Sequence, residues 1–118
     1  MKFNIIELVY DILEPCNVDI IEGWYDKDLN KTHITVHEYL TQDDDFYDDE
    51  NLTVEHNIQV DVWGKYSKEV NDLRDFCKDS LKKADFIFNQ GENLYETDTK
   101  IYHRAMRFTY IEELKGDE

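Results

Sequence analysis

The sequence is poor in residues that break or cross-link a chain. Its 118 residues include one proline, four glycines and two cysteines. So few glycines and prolines exclude a collagen-like repeat and a chain made mainly of linker. Cys16 and Cys77 are far apart and form no CxxC pair, so neither a zinc site nor a redox motif is indicated. We therefore expect a reducing compartment.

Long hydrophobic runs and basic residues are also scarce. The apolar runs, such as residues 86–88, are far below the roughly 18 residues that span a bilayer. Acidic residues interrupt the start of the chain, where a signal peptide needs an apolar core. Lys and Arg number 13 against 28 Asp and Glu, which gives a formal charge of −15. Such a surface repels phosphate, so we expect neither a membrane partner nor nonspecific binding to duplex DNA.

What the sequence does contain is enough apolar material for one core. Hydrophobic residues make up 41% of the chain and aromatic residues 14%, which argues against wholesale disorder. Apolar spacing predicts one helix over Ile5–Leu13, with Asn4 as its N-cap and Pro15 preventing its continuation. A second helix is predicted over residues 67–84, with Ser67 as its cap.

The remaining pattern predicts strands. Residues 52–62 alternate apolar and polar side chains, which predicts one dry face and one wet face. Other strands are predicted at residues 18–25, 32–40, 86–88, 94–95 and 100–111, with a hairpin loop at 26–31 and a turn at 89–92. We predict a single α+β domain over residues 1–118, with a small antiparallel sheet and two helices packed on one face. Residues 41–51 are expected to form an acidic loop, and residues 112–118 a flexible tail.

Candidate catalytic and metal-binding residues are few. His33 and His37 would lie about 13 Å apart on a strand, too far to share a metal. His56 falls on the apolar side of its strand, which favours a hydrogen-bonded core histidine. Cys77 lies on the buried stripe of a helix, where a thiol acts as a small hydrophobic group. Because GxSxG, P-loop and GxGxxG motifs are absent as well, we expect no enzyme and no cofactor.

The densest charge lies in one segment that carries six carboxylates and no base. The segment consists of Asp43, Asp44, Asp45, Phe46, Tyr47, Asp48, Asp49 and Glu50. Calcium ligation is one interpretation, but Asp48 stands where an EF-hand loop needs glycine. The alternative is a solvated loop between two strands, in which Phe46 and Tyr47 would anchor a partner.

Four aromatic residues near predicted strand ends allow two interpretations. Trp24, Tyr25, Trp63 and Tyr66 either form the rim of the core or belong to a subunit interface. Tryptophan and tyrosine concentrate binding energy at interfaces, so the second interpretation is kept as a hypothesis.

The arrangement resembles the tail-terminator proteins of long, non-contractile-tailed phages, which complete the tail and join it to the head. The matching features are the helix Ile5–Leu13 ending at Pro15, the strand at 32–40, a long polar loop, residues 54–63 (VEHNIQVDVW) and residues 102–110 (YHRAMRFTY). The resemblance implies an antiparallel sheet with helices on one face and no catalytic residues.

The same resemblance implies a homohexameric ring that caps the tail tube and presents a surface to the head connector. Its partners would be the tail tube protein and the head completion protein, and genomic DNA would pass through without specific binding. The location implied is the neck of a virion assembled in a bacterial cytoplasm. On this reading, residues 43–50 contact a neighbouring ring or face the channel.

Three other functions fit parts of the sequence. The charge of −15 equally suits a phosphate-mimicking antidefence inhibitor, which would compete with DNA for a basic partner. A small acidic immunity protein would instead bind a toxin one to one. A metal-dependent hydrolase has the least support from the residues.

Overall fold

The computed structural model describes residues 3–23, 31–43 and 53–114. Its elements in chain order are helix α1 (Ile5–Leu13), strands β1 (Asp19–Glu22), β2 (His33–Asp43) and β3 (Thr53–Gly64), helix α2 (Ser67–Lys83), and strands β4 (Ile87–Glu96) and β5 (Ile101–Glu113). A 3-10 turn, Glu14–Cys16, follows α1. No helix within these ranges is long and apolar enough to cross a membrane.

The five strands form one mixed sheet in the order β1-β2-β3-β5-β4. The pairings β2-β3, β3-β5 and β5-β4 are antiparallel, whereas β1 pairs in parallel with β2. The predicted α+β class is therefore confirmed, but the expectation of a wholly antiparallel sheet is wrong. Residues 26–30 of the predicted hairpin loop lie outside the described residues, and the strands on either side of them pair in parallel, which is not the pairing of a hairpin.

The predicted cap residue is confirmed for α1 and wrong for α2. Asn4 Oδ1 accepts hydrogen bonds from the backbone N–H groups of Ile6 at 3.0 Å and Glu7 at 3.2 Å, which confirms the predicted cap of α1. Ser67, predicted as the cap of α2, is instead the first residue of the helix. Tyr66 occupies the cap position with extended backbone and no side-chain bond to the helix.

Strand β4 passes straight through the turn predicted at residues 89–92. The pairing of β4 with β5 shifts by one residue at Asn89, which is the mark of a bulge. A Cβ on Gly91 would lie 3.1 Å from Cζ of Phe88, so the glycine permits a close approach of that ring. The turn-type residues here serve a bulge and a close contact, and the chain reverses later, at residues 97–100, where the N–H of Lys100 donates to Glu96 O.

Two strands also extend further than predicted. Strand β2 continues to Asp43 and β5 to Glu113, because both keep pairing with β3 at this end of the sheet. Residues 41–43 and 112–113 therefore belong to strands, and not to the predicted loop and tail. We call this end, residues 40–43, 53–57 and 109–113, the distal arm.

The core lies between the helices and one face of the sheet. Both helices pack on that face, as predicted. The buried residues that form the core include Ile5, Val9 and Leu13 of α1, Val70, Cys77 and Leu81 of α2, and Ile34, Val36, Ile58, Val60, Val62, Met106 and Phe108 of the sheet. His56 is buried on the same side and hydrogen-bonded, which confirms the prediction of a core histidine.

Candidate assembly surface

The sheet face away from the helices, which we call the open face, is unexpectedly buried in its central part. Asp61 is 1% exposed and Asn57 6%, although both lie on the side of β3 predicted to be wet. Trp63, on the same side of the strand, is 8% exposed. Burial of polar side chains is tolerated when each is hydrogen-bonded. The prediction of one wet face fails because neighbouring strands supply the partners of these side chains.

A stack of three rings crosses the open face from strand to strand. His33, Trp63 and His103 are in register on β2, β3 and β5. The ring of Trp63 lies parallel to His103 with centroids 3.7 Å apart, and parallel to His33 at 6.2 Å. The indole Nε1–H of Trp63 donates to Thr35 Oγ1 at 3.0 Å. These contacts hold the indole in a fixed orientation within its own subunit.

The buried carboxylate of Asp61 organises the polar groups beside this stack. His103 Nε2 lies 2.7 Å from Asp61 Oδ1, and the amide of Gln59 donates to the same oxygen at 2.9 Å. Gln59 in turn accepts a bond from Arg107 Nε at 3.1 Å. The guanidinium of Arg107 then lies 4.5 Å from the ring centre of Tyr39. One connected network therefore joins β2, β3 and β5.

His37 completes this part of the open face. Burial lowers the pKa of His37 from its ordinary value, and the nearby Arg107 guanidinium acts in the same direction. The carboxylate of Asp61 and a hydrogen bond with the Gly23 backbone oppose that shift. The net lowering of the pKa favours the neutral imidazole in the folded protein.

Further along the open face, the distal arm and the start of β4 present exposed aliphatic side chains among few charges. This charge-poor patch consists of the aliphatic residues Leu40, Ile87 and Ile111 and the neutral polar residues Asn89 and Thr109, around the buried Asn57. The carboxylate beside it is that of Glu55, which lies opposite Ile111 and accepts a bond from Asn57 at 2.9 Å. The three aliphatic side chains are 44%, 54% and 36% exposed. Thr109 donates to Asn57 and accepts from Asn89, both at 2.7 Å. Depletion of charge around exposed apolar groups is typical of the centre of an interface.

The fold is similar to a chain in the virion of a native gene transfer agent particle. The TM-score is 0.63, and the match covers 91% of this chain and 85% of that chain. The identity of 11% makes this a similarity of fold. No family model and no curated protein matches this sequence.

The residues predicted to carry function are described in part. Asp43 is the last residue of β2, at the tip of the distal arm, and residues 44–50 lie outside the described residues. Trp24 and Tyr25 also lie outside them. Tyr66 is 71% exposed between β3 and α2, whereas Trp63 is held in the ring stack. The structure thus brings none of the described candidates together: Trp63 is on the open face and Tyr66 at the start of α2.

The open-face network is what sequence reasoning missed. Its signal is present in the sequence, since His33 and His37 share one side of β2 and Gln59, Asp61 and Trp63 share one side of β3. Only the pairing of β2, β3 and β5 reveals that these side chains meet. Among the described residues, no group of three or more His, Cys, Asp or Glu side chains is arranged to hold a metal ion.

Proposed function

We propose that this chain is a structural, non-catalytic protein of a phage-like virion. In this proposal it forms a homohexameric ring at the end of the tail tube, stops the growth of the tube and joins it to the head connector. The observation that carries the proposal is the similarity of fold, over 91% of the chain, to a chain of a gene transfer agent virion. The resemblance of the sequence to tail terminators gives the finer assignment to the tail end.

The charge of the chain suits a conduit for DNA. A ring through which a genome slides must not hold phosphate groups, and a subunit charge of −15 opposes such binding. The acidic segment at residues 43–50 continues from the end of β2 at the distal arm, so we assign it to the channel or to a neighbouring ring. Phe46 and Tyr47 would provide its apolar anchor.

A ring of acidic subunits also needs contact surfaces that do not repel one another. Copies that each carry −15 meet with least repulsion where charges are sparse. The charge-poor patch is such a surface, and we propose that it contacts the next subunit in a head-to-tail arrangement that closes by rotation. Tyr66, exposed on another part of the molecule, is the described candidate for the opposite side of that contact, and we propose Trp24 and Tyr25 beside it. Trp63 is stacked within its own subunit and fits the other interpretation of these aromatic residues, the rim of the core.

Imaging of particles tests the proposal most directly. Antibody labelling or electron cryomicroscopy of particles released by cells that produce the chain is expected to find it as a ring between head and tail. Absence of the chain from finished particles would refute the assignment. If the chain were absent from particles and the purified protein displaced DNA from a basic partner, the antidefence inhibitor would become the favoured function.

A loop variant tests the role of the acidic segment. Replacing residues 43–50 by a neutral Gly/Ser/Asn segment of equal length should leave a folded domain that fails to join heads to tails. The matched control neutralises six exposed carboxylates outside the distal arm: Glu7, Asp11, Glu14, Asp79, Glu92 and Asp98. Normal head–tail joining by the loop variant, or equal loss in the control, would show that the segment has no specific role.

A further inference from the structure

A histidine on the central strand is held between carboxylates from both neighbouring strands. His56 of β3 has Nδ1 2.6 Å from Glu38 Oε2 of β2 and Nε2 2.8 Å from Glu112 Oε1 of β5. The three side chains are 10%, 25% and 20% exposed. We call this arrangement the carboxylate–histidine bridge. It connects three strands at the base of the distal arm.

The geometry of the bridge requires an additional proton. A neutral imidazole has one N–H, whereas two ionised carboxylates that both accept from the ring require two. The three groups together therefore hold one proton more than a neutral ring between two carboxylates. Because the groups interact strongly, this proton belongs to the bridge as a unit and not to one residue.

Among the described residues, no other group places a proton between a ring nitrogen of His56 and its carboxylate. Thr41 on β2 donates to Glu38 at 2.6 Å, at the same oxygen that contacts His56. From the chain start, the ring of Phe3 lies against the imidazole with centroids 5.3 Å apart, and it stacks on Tyr110 of β5. Asp85 and Glu113 line the adjoining cleft with Phe3 and Tyr110, so the further charged groups described at this site are acidic.

We propose that the carboxylate–histidine bridge is a proton-dependent clamp on the distal arm. With the additional proton present, both carboxylates are bound and the ends of β2 and β5 are fixed to β3. When the proton leaves to solvent, one of the two contacts loses its donor, and the strand that carries it is released at its end. This clamp goes beyond the proposed virion role: it sets how firmly the root of the acidic segment is held, whatever that segment contacts.

Amide hydrogen exchange of the full chain, measured by NMR between pH 5 and pH 9, tests the clamp. Imidazole titrates within this range, and exchange is expressed as protection relative to an unstructured chain at the same pH. Protection of residues 40–43 and 109–113 is expected to fall about 10- to 100-fold as the pH rises, because a hydrogen bond to a charged group is lost. Protection of residues 60–63 and 103–106 should change much less.

Three variants separate the clamp from ordinary strand packing. Glu112→Gln offers an amide N–H to a neutral imidazole, so the arm should stay protected across the whole range. His56→Gln should be weakly protected at every pH. His103→Gln is the matched control, since His103 faces one carboxylate and needs no additional proton, and it should keep the wild-type profile in the arm.

Two outcomes would overturn the clamp. One is a wild-type arm whose protection does not change with pH, and the other is a Glu112→Gln arm that loosens just as the wild type does. Should Glu112→Gln fail to fold, Glu38→Gln makes the same substitution at the other contact and carries the same expectation. Neither outcome depends on ring formation, so failure here leaves the proposed virion role untouched.

Discussion

Adding one methyl group at Gly64 should destabilise the junction between β3 and α2. A Cβ at this position would lie 2.8 Å from Val70 Cγ2 and 2.9 Å from Thr32 Oγ1. Val70 is fully buried, and the hydroxyl of Thr32 is hydrogen-bonded to Glu69, so neither neighbour can retreat without losing a contact. Overpacking of this kind costs about 1–3 kcal/mol, and we expect Gly64→Ala to lose about 2 kcal/mol.

Urea and thermal unfolding, followed by circular dichroism, measure this loss. The entropy of unfolding of a chain of 118 residues is about 0.25 kcal/mol per kelvin, so a loss of about 2 kcal/mol lowers Tm by roughly 8 °C. The dependence of the unfolding free energy on urea concentration should stay the same, because the surface exposed on unfolding does not change.

A double-mutant cycle identifies the clash as the cause. Val70→Ala alone removes two buried methyl groups and should cost about 2 kcal/mol. In Gly64→Ala/Val70→Ala the new methyl group occupies the vacated space, so the combined loss should fall short of the sum by about 1 kcal/mol or more. Gly91→Ala is the matched control, because its Cβ meets the edge of the partly exposed Phe88 ring at 3.1 Å. Strict additivity, or a Gly64→Ala variant as stable as Gly91→Ala, would refute the reasoning.

Further predictions concern the open face and the core. Burial lowers the pKa of His37, so the unfolded chain binds more protons and the free energy of unfolding should fall as the pH drops below about 6.5. In urea unfolding from pH 7.5 to 5, His37→Gln should reduce this dependence of stability on pH. Burial raises the pKa of the Cys77 thiol, so a disulfide reagent at pH 8 should modify Cys16 in the native protein and Cys77 only after unfolding. Rapid labelling of Cys77 in the native protein would contradict this. Leu40→Asp in the charge-poor patch should weaken self-association about 10-fold or more in light scattering, whereas Leu94→Asp should not, because Leu94 is similarly exposed but lies outside the patch. Equal effects of the two substitutions would argue against the patch as an interface.

Elements determined by nearby residues were predictable from the sequence. The bounds of α1 follow from the side chain of Asn4, which satisfies backbone donors, and from Pro15, which cannot continue the helix. The core side of β3 follows from strict alternation, and His56 on that side is hydrogen-bonded as expected. In these cases the residues that determine the element lie within a few positions of it in the sequence.

Features determined by distant partners were not predictable. The parallel pairing of β1 depends on which edge of β2 is free, and no local residue encodes it. The burial of Asp61 depends on His103, which is 42 positions away in sequence. An aspartate in an alternating strand indicates a wet face unless the neighbouring strand is known to supply a donor. The pattern of a single strand therefore misjudges the burial of polar residues that form networks with other strands.

Two bulges explain how the distal arm can differ from the rest of the sheet. Strand β2 has an additional residue at Tyr39, opposite Asn57 and Ile58 of β3, and β4 has one at Asn89, opposite Arg107 and Phe108 of β5. Since Ile58 pairs with Phe108, both bulges lie at the same level of the sheet.

The bulge in β2 exchanges the faces of every residue that follows it. In a regular ladder Leu40 would oppose His56 on the helix side, but after the bulge it opposes Asn57 on the open face. Thr41 thereby moves next to His56 and reaches Glu38 of the bridge. One inserted residue thus directs an aliphatic side chain to the charge-poor patch and a hydroxyl to the carboxylate–histidine bridge. The same strands therefore carry the bridge carboxylates on one side of the arm and exposed aliphatic side chains on the other, with Glu55 and Glu113 beside them. An acidic subunit that meets its own copies through the aliphatic side chains keeps those two carboxylates at the edge of the contact, where water screens their repulsion.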